Sequence, residues 1–169
     1  MSFAKMFLPE LEHEVANTRK CIERFKDDQL GWKPHAKSMS VAQLISHLAE
    51  LPGWTGATFQ LNELDLSPPG GPAYTPTIFT SVAETLAAFD KGVEEAKAVL
   101  AAASDEAFGE PWTMLMGGNV IFTLPRVAVL RTWILNHMIH HRGQLSVYLR
   151  LLDIPVPGIY GPSADEGNM

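Results

Sequence analysis

Half of the chain's six histidines, His137, His140 and His141, fall in one five-residue window of the segment NHMIHHRGQLSVYLR, residues 136–150. On a helix, residues four apart stack one turn above the other, so His137 and His141 share a face. His140 points elsewhere, because each residue step turns the chain by about 100°. Leu130, Ile134, Leu145 and Tyr148 lie on the face of the His137/His141 pair, which predicts that the pair points into a core. An imidazole carries two polar nitrogens that need partners once buried. A divalent metal provides one, since histidines at a four-residue step form a two-point clamp, and a third ligand must then come from another helix. His47 is the best candidate, with Leu44, Leu51 and Trp54 on its stripe. His13, among acidic residues, and His35, after Pro34 in a loop, are weaker candidates. The competing explanation is plain core histidines held by hydrogen bonds.

The elements that must position these residues read as helices. Leu8, Leu11, Val15, Thr18, Ile22 and Phe25 recur at three- and four-residue steps, predicting a first helix from about Phe7 to Asp28. Gly31 and Pro34 break it. Ser40 and Gln43 form a capping box that opens a second helix through VAQLISHLAELPGWTGATFQLN, kinked at Pro52 and Gly53. SPPGGPAYTP then reads as a surface excursion. Ser81 and Glu84 form a second capping box before an Ala-rich third helix. In PWTMLMGGNVIFTLP, two β-prone runs flank GGN and predict a hairpin. Thr123 and Pro125 mark the start of the longest helical pattern, RVAVLRTWILNHMIHHRGQLSVYLRLLD, and IPVPGIYGPSADEGNM follows as an extended tail packed back on the helices. The fold class is therefore all-α: one domain, residues 1–169, forming a four-helix bundle with at least one long connection and a small β-hairpin before the last helix.

Composition excludes several classes. The chain has 169 residues, enough for one well-buried core, and its apolar fraction of 46% is too high for disorder. A net charge of −6, without a basic stripe, disfavours nucleic acid as a partner. Cys21 is the only cysteine, so no intrachain disulfide forms, in keeping with a cytoplasmic protein. The N-terminal segment MSFAKMFLPELEHE reads as neither signal peptide nor membrane span.

The segment HMIHHRGQLSVYLR, followed by VPGIYGPSADE, resembles the DinB family, which includes the YfiT-like metal proteins. The likeness extends over the chain, with SVAQLISHLAE fitting the family's second-helix motif and with element order and length in agreement. It implies a four-helix bundle of up-down-down-up type holding a three-histidine metal site. Carried over residue by residue, the ligands are His47, His137 and His141. The resemblance implies zinc or nickel, while neutral imidazoles also suit iron, manganese, cobalt or copper. Three protein ligands leave one coordination position open, as catalytic sites do. Relatives in the family include bacillithiol- or mycothiol-dependent S-transferases and a mycothiol-dependent isomerase. The expected function is thus a metal-dependent enzyme acting on a small molecule, either transferring a low-molecular-weight thiol or hydrolysing its substrate. The alternative is a non-catalytic stress-response or binding module whose metal staples the bundle. A homodimer is expected.

Other residues take secondary parts. Glu50, one turn after His47, is a candidate base or a hydrogen-bond partner for an imidazole, or else a solvated carboxylate. Arg142 and Gln144 are expected to bond to the C-terminal tail, and Tyr160 to cap the bundle or wall a pocket. Trp54, Trp133, Met114 and Met116 read as core or pocket-lining groups, and Cys21 as a bystander.

Overall fold

Four serines, Ser2, Ser40, Ser81 and Ser104, each start a helix by accepting a hydrogen bond from the backbone N–H three residues on. Such caps satisfy an N–H group that the first helical turn leaves orphaned. The computed structural model describes residues 2–167, so the last two residues of the expected tail, Asn168 and Met169, lie outside the described residues. The main elements are α1 (Phe3–Ile22), α2 (Val41–Glu50), α3 (Trp54–Gln60), β1 (Glu63–Asp65), α4 (Val82–Ala102), α5 (Asp105–Gly109), β2 (Pro111–Met116), β3 (Asn119–Pro125), α6 (Arg126–Val129) and α7 (Asn136–Leu151). A short 3₁₀ turn (Asp27–Gln29) follows α1. The protein is mostly helical, with one small sheet.

Helix α1 packs on α4 and α7, and α2 packs on the same two, so the four long helices enclose one core. Leu11, Leu44, Leu48, Phe89, Leu130 and Leu145 are buried there. Each fully buried side chain of this kind contributes roughly 1.5–3 kcal/mol. The first helix ends at Ile22, earlier than its apolar spacing implies; Phe25 and Leu30 reach the core from the turns that follow. At Ser40 the capping box forms in both directions. At Ser81 only half of it forms, because the Glu84 carboxylate bonds Thr80 instead of turning back to Ser81.

The expected kink is a full break. Helix α2 stops at Glu50 and α3 restarts at Trp54, with Pro52 and Gly53 in the turn between. Helix α4 approaches this break closely at Gly92, where a Cβ would lie 3.3 Å from the Gly53 nitrogen.

The hairpin turns on Gly117 and Gly118, both with positive φ, as a two-residue turn between right-twisted strands requires. It is larger than the sequence implies. β1 adds a third strand, parallel to β2, and the Asp65 carboxylate accepts from Gly117 and Gly118 N–H groups to tie the turn down. A strand of three residues carries no readable alternation, which is why the sequence hides it. Thr123 does not start the last helix; it lies in β3, its hydroxyl 2.8 Å from that of Thr113. Trp112, Met114 and Val129 form a second, smaller core under the sheet, against which Trp54 and Trp133 pack.

The last helical pattern is not one regular helix. Between α6 and α7, residues Leu130–Leu135 form a π-helical turn in which the Asn136 N–H reaches the Arg131 carbonyl. Such wide turns shift the phase of the residues that follow, and they recur at functional sites.

Candidate metal centre

Helix α2 presents His47 and helix α7 presents His137 and His141 across the interface between the two. The side chains converge: ring centroids lie 4.9 Å apart for His47 and His137, 4.8 Å for His47 and His141, and 4.6 Å for His137 and His141. One nitrogen from each lies within 4.8 Å of the others, and the Nε2 atoms of His47 and His137 are 3.2 Å apart. Two ligands at about 2.0–2.1 Å from a tetrahedral metal stand roughly 3.3 Å from each other. The His47/His137 pair therefore already has the span of one edge of such a site. Among the described residues, no fourth His, Cys, Asp or Glu joins the cluster.

Backbone and amide acceptors orient the rings. His137 Nδ1 lies 3.3 Å from the Trp133 carbonyl and His141 Nδ1 lies 2.8 Å from Gln144 Oε1. Both partners accept only, so each Nδ1 carries the proton and each Nε2 keeps its lone pair. Burial, reinforced by the neighbouring His141 and His137, lowers the His47 pKa to about 4. Burial likewise lowers those of His137 and His141. All three are neutral imidazoles at pH 7, the form that binds metal.

Leu130, Ile134, Leu145 and Tyr148 are buried as expected, but the histidines are less deeply placed than their face implies. The fully buried positions of α7 are Met138, Arg142, Leu145 and Leu149, with Tyr148 beside them, whereas His137 and His141 are half-buried. Each histidine lies one residue before a core position, on the border between core and cleft. A site open to small molecules needs that border. His140 is exposed and diverges as predicted. His13 pairs with Asn17 and stacks on Tyr160, and His35 accepts from the Lys37 N–H; neither approaches the cluster.

Glu50 is not brought onto an imidazole. Its two oxygens accept from the Tyr74 hydroxyl at 2.7 Å and the Thr77 N–H at 2.9 Å, anchoring the loop that follows β1. That loop was legible only as an excursion, and its Tyr74 and Pro76 join Met39, Leu51, Trp54 and Trp133 around a cavity of about 230 Å³ that His47 and His137 close at one end. Trp133 and His137 also line an open hollow of about 320 Å³, together with Thr132, Asn136 and His140. Trp54 and Trp133 are thus pocket walls, while Met114 is core and Met116 exposed.

Arg142 meets the tail as expected. Its guanidinium, 3% exposed, bonds the Tyr160 hydroxyl and, at 2.6 Å, the buried Glu14 carboxylate. Gln144 does not: its amide bridges His141 and His140. The three-residue step from His141 to Gln144 could have revealed this. Cys21 is buried, which pushes its thiol up to about 11 and leaves it a poor nucleophile.

A sequence profile of the DinB superfamily matches residues 10–145. The chain belongs to the DinB superfamily. Its fold is that of two DinB-like crystal structures. One is from Bacillus cereus ATCC 10987, 20% identical, with a TM-score of 0.71 over 91% of this chain and 95% of that one. The other is YjoA from Bacillus subtilis, 18% identical, with a TM-score of 0.66 over 96% of this chain and 99% of that one. The uncharacterized protein YrdA of Bacillus subtilis (strain 168) is 46% identical over 37 residues, a match that spans 22% of each chain. Among the described residues of this DinB protein, no helix is long and apolar enough to cross a membrane.

Proposed function

We propose that this DinB protein is a metal-dependent enzyme in which His47, His137 and His141 hold one divalent ion, zinc or nickel, on a four-helix bundle of up-down-down-up connectivity. The observation that carries the reading is the convergence of three neutral imidazoles, two of them oriented through Nδ1, beside an apolar cavity and a more open hollow. When bound, such an ion supplies Lewis acidity to a thiol or a substrate oxygen. The chain's own residues do the rest. The Trp133 carbonyl and Gln144 hold the ring tautomers; Leu51, Trp54 and Trp133 keep water from one side; Thr132 and Asn136 line the wet side.

Two spaces meeting at His137 give room for two reactants, which favours transfer of a low-molecular-weight thiol to an electrophile over hydrolysis. The thiol gives up its proton to solvent, and the thiolate sulfur forms the new bond to carbon as the electrophile's leaving group departs with its electron pair. Glu50 enters as the anchor of the cavity wall, through Tyr74 and Thr77, instead of as a base. A metal that merely stapled the helices would call for a fourth protein ligand, and the cluster has three.

The test is metal analysis of protein purified without an affinity tag, followed by a panel of thiols and electrophiles. His47→Ala, His137→Ala and His141→Ala should each lose stoichiometric metal and thiol consumption, while His140→Ala keeps both. Loss of metal in His140→Ala equal to that in His141→Ala would overturn the ligand set.

A further inference from the structure

We infer that the cavity beside the three histidines is a binding site for a neutral, apolar group the size of one six-membered ring, so that the substrate presents an uncharged aromatic or branched aliphatic body there. The inference rests on the proposed metal site only for what happens at the cavity's histidine end; the cavity itself stands on its walls.

Those walls are Met39, Leu51, Trp54, Tyr74, Pro76 and Trp133, and no Lys, Arg, Asp or Glu lines the space. Trp54 and Tyr74 meet edge to face at 5.7 Å and form a corner of it. The Tyr74 hydroxyl, the polar tip on this wall, already donates to Glu50, and its backbone N–H is bonded to the Leu66 carbonyl at 2.7 Å. Thus the loop wall is held from both ends of one residue. Trp133 is fixed from behind by Phe122 of the sheet, 5.1 Å between ring centroids. The walls are therefore built in place, as small-molecule sites are.

Size and chemistry set the occupant. A cavity of about 150 Å³ lined by aliphatic and aromatic groups holds benzene. At about 230 Å³, this one takes a single ring with a short substituent and excludes a sugar-linked thiol. Against the apolar walls a polar or charged group would lose its hydration without gaining a partner. The imidazoles at the closed end then stand next to whatever atom joins the ring to the rest of the molecule. A polar co-substrate is left to the open hollow that shares Trp133 and His137 with the cavity, where Thr132, Asn136 and His140 supply hydrogen-bonding groups.

The experiment follows the indole N–H signals of Trp54 and Trp133 by NMR in zinc-loaded protein, titrated with toluene and, separately, with myo-inositol. Toluene should shift both indoles saturably, and myo-inositol, an uncharged six-membered ring with a hydroxyl on every carbon, should bind at least ten-fold more weakly. Leu51→Phe, which fills the cavity, should abolish the toluene response while zinc stoichiometry is kept. Should that variant fail to fold, Met39→Glu places a charge at the partly exposed mouth and should weaken toluene binding at least five-fold. Indoles that do not respond to toluene in zinc-bound wild-type protein, or equal affinity for the two probes, would overturn the inference. A wild-type protein that binds toluene but no zinc would keep the cavity assignment and remove the metal reading alone.

Discussion

Gln144 serves two imidazoles at once. Its Oε1 takes the His141 Nδ1–H at 2.8 Å and its amide nitrogen donates to His140 Nε2 at 3.1 Å. Only the first bond concerns the candidate site: a carbonyl-type acceptor fixes the proton on Nδ1 and leaves Nε2 as the ligand. Gln144 is itself exposed, so its removal leaves no buried group stranded. Gln144→Ala should therefore lower metal affinity about ten- to a hundred-fold without unfolding the protein, a cost typical of groups that orient a ligand. Competition against a chromophoric chelator measures it. Unchanged affinity would mean that His141 needs no help to hold its tautomer. Gln144→Glu keeps the acceptor and should retain the affinity.

At the scale of elements, the long helices and their caps were legible because each depends on local information: apolar residues at three- and four-residue steps, and serines that satisfy first-turn N–H groups. The histidine cluster was legible in part for the same reason, as His137 and His141 share a face of one helix. Their degree of burial was not. The π turn at Leu130–Leu135 contains neither Gly nor Pro, and the buried face of α7 takes in Met138, Arg142 and Leu149 besides the expected Leu145 and Tyr148, with the histidines at its edge. The third strand was hidden by its length, and the cavity wall by the fact that Tyr74 and Pro76 meet the helices only in three dimensions. Arg142 shows what the core position demands in return. It is buried against Glu14, and its partner Tyr160 donates to the same carboxylate at 2.8 and 2.9 Å. Arg142→Met strands that carboxylate. Breaking a buried pair from one side costs about 3–5 kcal/mol, which lowers Tm by roughly 10 °C in a chain of this size. Adding Glu14→Leu should return part of the loss in thermal unfolding, because an apolar pair has no stranded charge. A double variant no more stable than Arg142→Met would show that the cost lies in packing instead.

For the molecule as a whole, the decisive question is whether the candidate centre holds the fold or is held by it. The hydrophobic core enclosed by α1, α2, α4 and α7 runs from Phe7 to Leu149, and the three histidines are only half-buried. Caps, the Arg142–Glu14 pair and the tail's ion pairs to Arg24 and Arg150 are likewise independent of any metal. A fold built this way stands without the ion, and bound metal adds only the linkage free energy, about 2.7 kcal/mol at a hundred-fold excess over the dissociation constant. Chelation should then lower Tm by on the order of 5–10 °C while circular dichroism retains the helical signal and a sharp transition. In a metal-stapled domain the ion's binding free energy is the folding free energy, and the stripped chain is unfolded. A chelated protein that is molten or unfolded at room temperature would therefore overturn the enzyme reading, since a site that must be closed to hold the helices together could not also stay open to a substrate.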